Sequence, residues 1–153
     1  MAASEHRYQV HVSWSGETRS YQSYSRAHRI AINGKPTIAA SADPAFLGDA
    51  DLPNPEDMLL AALSACHMLW YLHLCAVNGV VVTAYEDRAE ATMVEAPCDG
   101  RFTDVVLHPV VTITADSDAD LARSLHERAH AECFIANSVN FPVRHVPVIK
   151  RAG

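Results

Sequence analysis

The order of elements along the chain predicts an α+β fold with a mainly antiparallel sheet. Three observations carry this. The N-terminal segment alternates apolar and polar residues, a long uncharged apolar stretch has helix punctuation at both ends, and further alternating segments flank a second, amphipathic helix. The 153 residues fit one domain, 1–153, large enough to bury a core without disulfides or metals.

Tyr8, Val10, Val12 and Trp14 alternate with His and Gln, the period of a strand. Gly16 to Ser25 continues as a more polar ribbon, with Arg19 in it and Arg26 just beyond. Asn33-Gly34 between two apolar segments predicts a hairpin with a type I′ turn. A loop with Asp43-Pro44 and Gly48-Asp49 follows. Asn54 then suits an N-cap, Pro55 the first helical position, and Glu56 and Asp57 the positive end of the dipole. Asn78-Gly79 supplies the stop.

Two long strands joined around Asp99-Gly100 come next, in VVVTAYEDRAEATM and RFTDVVLHPVVTIT. Ser117-Asp118 opens a second helix whose stripe is Leu121, Leu125, Ala129 and Cys133. SVNFPVRHVPVIK is a final strand, at an edge or bulged because of its two prolines.

Composition narrows the function classes. The chain has 12 basic and 18 acidic residues, a net of −6, and no Lys/Arg stripe, so no nucleic-acid surface is expected. The N-terminus lacks the order of a secretory signal, and with four cysteines this predicts a cytoplasmic protein with free thiols. Met58 to Val77 carries no formal charge and is long enough to cross a bilayer, but Ser64, His67 and His73 interrupt it and no basic cluster flanks it. A helix apolar all round is also the buried centre of an assembly, which is the expectation here; no membrane partner is expected.

Two chemistries compete. His126-Glu127-Arg128-Ala129-His130 matches H-E-x-x-H, which offers two imidazoles to zinc and a glutamate as base. Catalytic zinc needs a third ligand, and Cys133 and Ala136 stand where the extended pattern has Gly and His. The competing expectation is that His126 and His130 are polar neighbours of an apolar stripe, with no metal bound. The alternative chemistry is a thiol pair. Cys66 sits mid-helix, Cys75 falls on the opposite face as filler, Cys98 flanks an exposed hairpin, and Cys133 closes the second helix.

The stretch Asn54-Pro55-Glu56 through Ser64-Ala65-Cys66, with a second cysteine in Glu132-Cys133-Phe134 ahead of Asn137-Ser138, resembles the OsmC/Ohr family. That family is named for osmotically inducible protein C and the organic hydroperoxide resistance protein. The resemblance spans nearly the whole chain in order and spacing. It implies an OsmC-like fold, a mainly antiparallel sheet wrapped on a long buried central helix, in an intertwined homodimer. It also implies a thiol peroxidase acting on organic hydroperoxides in oxidative-stress defence.

In this reading Cys66 is the peroxidatic thiolate and Cys133 the resolving thiol. Glu56 holds a thiolate-stabilising arginine, Arg19 with Arg26 as competitor. An external dithiol, of lipoyl type, is the reductant, and no bound cofactor is needed. A binding or sensing module for a small apolar molecule is the second reading, and a zinc hydrolase the third. Met68, Leu69, Trp70, Tyr71 and Phe134 are candidate pocket walls.

If Glu56 and Cys66 share one continuous helix, they stand about 15 Å apart along its axis. A carboxylate that far away cannot hold an arginine against the same chain's thiolate. Two sites shared between subunits of a homodimer are therefore expected.

Overall fold

A computed structural model describes residues 3–153. The chain divides after Met58 into two compact units, each described by itself.

The first unit holds β1 (His11–Ser13), β2 (His28–Ala31) and β3 (Ile38–Ala40), antiparallel in that order. Val12, Ile30 and Ile38 align across it. The expected N-terminal strand is cut to three residues. His11 already pairs with Ala31, where β2 runs into its turn, so the residues before it have no strand opposite. Gly16 to Ser25 is not a ribbon: it folds into turns closed by a Ser23 N–H to Ser20 carbonyl bond.

Asn33-Gly34 does turn the chain, with Lys35 N–H donating to the Ile32 carbonyl. Gly34 alone has positive φ (74°), which excludes type I′, where both central residues need it. In the following loop Gly48 is obligatory, because a Cβ there would lie 1.7 Å from the Ala42 carbonyl oxygen. Asn54 and Asp57 form a reciprocal capping box at 2.8 and 3.1 Å.

The helix those caps start, α1, runs Pro55–Val77 without a break. It ends in a Schellman motif, with Gly79 at φ 74° and Val80 N–H bonded to the Cys75 carbonyl. In the second unit each expected long strand is two. β4 (Val82–Asp87) pairs with β7 (Pro109–Ile113), and β5 (Glu90–Val94) with β6 (Arg101–Leu107). Asp87 sits opposite Pro109, which has no N–H, so the ladder stops and the chain bends there.

The second helix, α2 (Ala119–Glu132), is capped by Asp118, whose carboxylate accepts from the Asp120 and Leu121 amides. The last strand is also two. Val146-Pro147 separates β8 (Val143–His145) from β9 (Val148–Arg151), and the pair runs parallel to β6 and β7. Parallel pairing follows from α2, which carries the chain back between β7 and β8. Among the described residues four of the six strand pairings are antiparallel, so the α+β class with a mainly antiparallel pattern holds.

The larger core cluster packs Tyr71 and Leu74 of α1 on Val111, Ile113, Leu125 and Ala129. A smaller one joins Leu63 to Val105, Leu107 and Val143.

Candidate active site at the thiol pair

Burial divides α1 into two faces. Leu63, His67, Tyr71 and Leu74 recur every three or four residues and are buried. Ala61, Ala65, Leu69 and Ala76 lie on the other side and are uncovered, Leu69 to 63%. Cys66 falls between the two faces and is half-buried. Ser64, two residues before it, donates to Asp87 Oδ2 at 2.5 Å and so ties this part of α1 to β4.

On α2 the spacing of Ala122, His126, Ala129 and Cys133 is that of one inward stripe, and all four are buried. Cys133 caps the helix and is 1% exposed. Its sulfur accepts from the Ala136 amide at 3.4 Å, the entry to a 3₁₀ turn over Ala136–Ser138.

The two helices bring Cys66 and Cys133 together, near enough for one thiol to shift the other's pKa. Burial, then the neighbouring Cys66 thiol, pushes the Cys133 thiol up to about 11, against a smaller pull from the Ala136 amide. Cys133 is therefore a thiol at neutral pH, and a substrate reaches Cys66 more readily. Cys75 is buried beside Tyr71, and burial raises its pKa. Cys98 is exposed.

Of the expected apolar walls, Trp70 and Phe134 meet edge to face at 5.4 Å, one residue of each lying close in sequence to a site cysteine. Leu69 and Phe134 are open to solvent. Tyr71 is core, its hydroxyl bonded to the Ala122 carbonyl.

The first unit holds the expected charges. Glu56 is in the first turn of α1. Arg19 is exposed at a bend and pairs with Glu17; among the described residues no ion pair links it to Glu56. Arg26 is more tightly held. Its guanidinium donates to the Tyr24 and Tyr21 carbonyls at 2.5 and 2.6 Å and lies 3.6 Å over the Tyr24 ring. With Val12, Trp14, Thr18, Tyr24 and His28 it lines a cleft of about 300 Å³.

The sequence expectation missed a buried imidazole cluster. His126 is fully buried rather than a polar neighbour of the stripe. Its Nδ1 lies 3.0 Å from His67 Nε2, and its ring stacks on Tyr71 at 3.8 Å. His145 and the half-buried His130 complete the group. The two imidazoles fall at the helical spacing of the buried residues around them, a signal that spacing alone does not separate from a solvated face. Burial pushes His67 down to about 4 and His126 to about 3, with neighbouring imidazoles adding to each shift. Glu127 and Arg128 are solvated as expected. Among the described residues no three His, Cys, Asp or Glu side chains converge as metal donors.

Comparison with known proteins identifies the family. The profile of the family described as OsmC-like protein matches residues 48–146. An OsmC-like protein of unknown function from Vibrio cholerae O1 has 32% identity and a TM-score of 0.86, covering 94% of this chain and 100% of that one. An organic hydroperoxide resistance protein OsmC from Legionella pneumophila has 19% identity and a TM-score of 0.67, with 94% and 97% covered. The organic hydroperoxide resistance protein OhrB of Bacillus subtilis has 20% identity and a TM-score of 0.59, with 94% and 98% covered. No protein in the curated set matches. The profile spans well over half of the chain, and the protein therefore belongs to the OsmC-like family.

Proposed function

We propose that the protein is a thiol-dependent peroxidase that reduces organic hydroperoxides. The observation that carries this reading is the proximity of Cys66 and Cys133, a half-buried thiol beside a buried, protonated one. Attack of the Cys66 thiolate on the O–O bond gives an alcohol and a Cys66 sulfenic acid. Cys133 then displaces water to form a disulfide, which an external dithiol, of lipoyl type, reduces. The uncovered Leu69 and Phe134, with Trp70, supply an apolar approach for a hydroperoxide bearing an organic tail. Membership of a family whose structural relatives include hydroperoxide resistance proteins supports the same chemistry.

The working form in this proposal is a homodimer. α1 is long and apolar enough to cross a membrane by length and composition, and only 28% of its most apolar stretch is buried. A second copy laid on the Ala61–Ala65–Leu69 face covers it, and the alanines permit close helix approach. Because Cys66 borders that face, a partner's charged groups come within its reach. Glu56 with Arg19, or with the better-anchored Arg26, fills that role from the partner.

Mass spectrometry after one equivalent of an organic hydroperoxide tests the reading. The expected result is a loss of two hydrogens, mapped to a Cys66–Cys133 disulfide, with Cys75 and Cys98 still alkylatable. If all four thiols remain titratable, the peroxidase reading fails.

A further inference from the structure

The helices that carry the two cysteines meet through one side-chain to side-chain hydrogen bond, His67 to His126, in a largely apolar interface. His67 directly follows Cys66, and His126 precedes Cys133 by two helical turns on the same face of α2. The imidazole planes lie within 7° of each other, and their 5.3 Å centroid separation is that of rings joined nitrogen to nitrogen in a common plane. Tyr71 stacks beneath His126 and donates its hydroxyl to the Ala122 carbonyl, so it braces the same pair of helices. From β8, His145 lies 5.5 Å from His67 and 6.1 Å from His126, ring to ring. From α2, His130 faces His145, Glu127 pairs with His145 Nε2 at 3.3 Å, and Arg123 acts on His126 from a distance.

This is a costly way to pack two helices. His126 Nε2 and His145 Nδ1 are buried without a hydrogen-bond partner, and apolar side chains would fill the space with no such loss. What a directional bond supplies that Ala122, Leu125 and Ala129 cannot is register. One residue of slip on a helix moves a side chain about 1.5 Å along the axis and about 100° around it. A disulfide closes only when the two Cβ atoms come within about 3.5–4.5 Å.

We propose that the His67–His126 hydrogen bond positions the thiol pair, holding α2 against α1 in the register that closes the disulfide. His67 and His126 are positioning residues in this proposal. The step they serve is Cys66–SOH + Cys133–SH → Cys66–S–S–Cys133 + H₂O. The S–O bond breaks, the S–S bond forms, and the Cys133 proton leaves in the water. The sulfenic acid is supplied by an organic hydroperoxide, so the physiological step rests on the peroxidase reading, whereas the geometric claim does not.

The test therefore uses two oxidants. Diamide, which oxidises neighbouring thiols without any peroxidase activity, measures disulfide closure alone. An organic hydroperoxide measures how Cys66 partitions between disulfide and sulfinic acid. His126→Leu and His67→Leu are compared with His126→Asn and His67→Gln, whose amides sit where Nδ1 and Nε2 sit in the imidazoles. The leucine variants should slow closure with diamide about tenfold, the weight of one hydrogen bond. They should divert hydroperoxide-treated Cys66 to sulfinic acid, with its initial oxidation rate unchanged. The Asn and Gln variants should recover most of the closure rate.

His126→Gln serves if the leucine variants do not fold. It keeps an amide but moves it one methylene out of register, and should close more slowly than His126→Asn. Folded leucine variants that close at the wild-type rate, or equal rates for His126→Gln and His126→Asn, overturn the proposal. Wild type that closes with diamide but ignores hydroperoxide overturns the peroxidase reading and leaves the positioning role standing.

Discussion

Ser64 gives its hydroxyl proton to Asp87 Oδ2 at 2.5 Å, two residues before Cys66, while the other carboxylate oxygen accepts the His108 amide at 2.7 Å. One side chain thus fixes the cysteine's helix and the bend between β6 and β7. Asp87→Ala leaves both donors unpaired in a partly covered site and should cost about 2–3 kcal/mol. Ser64→Ala removes one bond and should cost about 1 kcal/mol. Urea unfolding measures both, as a lower midpoint at unchanged slope.

The imidazole cluster gives a pH signature. His67 and His126 titrate near 4 and 3 when folded, below the usual 6.5, so the unfolded chain binds the extra protons. The uncharged cluster's contribution is complete above pH 6.5 and is lost as pH falls from there towards 4. For His67 alone the full loss is on the order of 3 kcal/mol. The unfolding midpoint should be level from pH 7 to 8 and fall steadily from 6.5 to 5, before most carboxylates titrate. His67→Gln should flatten that fall, and a midpoint unchanged down to pH 5 would show that the cluster admits protons freely.

Alkylation should follow burial. At neutral pH iodoacetamide should modify exposed Cys98 and half-buried Cys66 well before Cys75 and Cys133. In Cys133→Ser, hydroperoxide should stop at a Cys66 sulfenic acid, trappable with dimedone, and excess oxidant should carry it to sulfinic acid. Early labelling of Cys133 would contradict the assignment of roles.

The sequence disclosed these features unequally. α1 was legible from Asn54 to Gly79 because its signals are local: a cap, a proline, a charged first turn and a glycine stop. The thiol pair came from the resemblance carried by Asn54 to Cys66 and by Cys133, because a cysteine inside an apolar helix is by itself no different from core filler. The bends at Asp87 and Val146 were not legible, because they depend on which residue stands opposite in a ladder. Nor was the burial of His67 and His126. Histidine counts as polar in a periodicity, yet here each imidazole is the other's hydrogen-bond partner, which only the meeting of α1 with α2 reveals.

The last prediction concerns the second copy. α1 is unbroken from Pro55 to Val77, so Glu56 and Cys66 are separated by about 15 Å along one helix axis. A charge held by Glu56 is thus too far from the thiolate of its own helix to stabilise it strongly. The uncovered face beside Cys66 is where the partner subunit's Glu56 would act in the proposed homodimer. Leu69 is central to that face and 63% exposed in the single chain. Leu69→Asp puts a charge into each half of the proposed contact, and sedimentation should report a monomer with little peroxidase activity. Shared sites make a second demand. Cys66→Ser and Glu56→Ala chains, each inactive alone, should regain part of the activity when refolded together, because each mixed dimer pairs one intact Cys66 with one intact Glu56. A monomeric wild type, or confirmed mixed dimers with no activity, would remove the shared site.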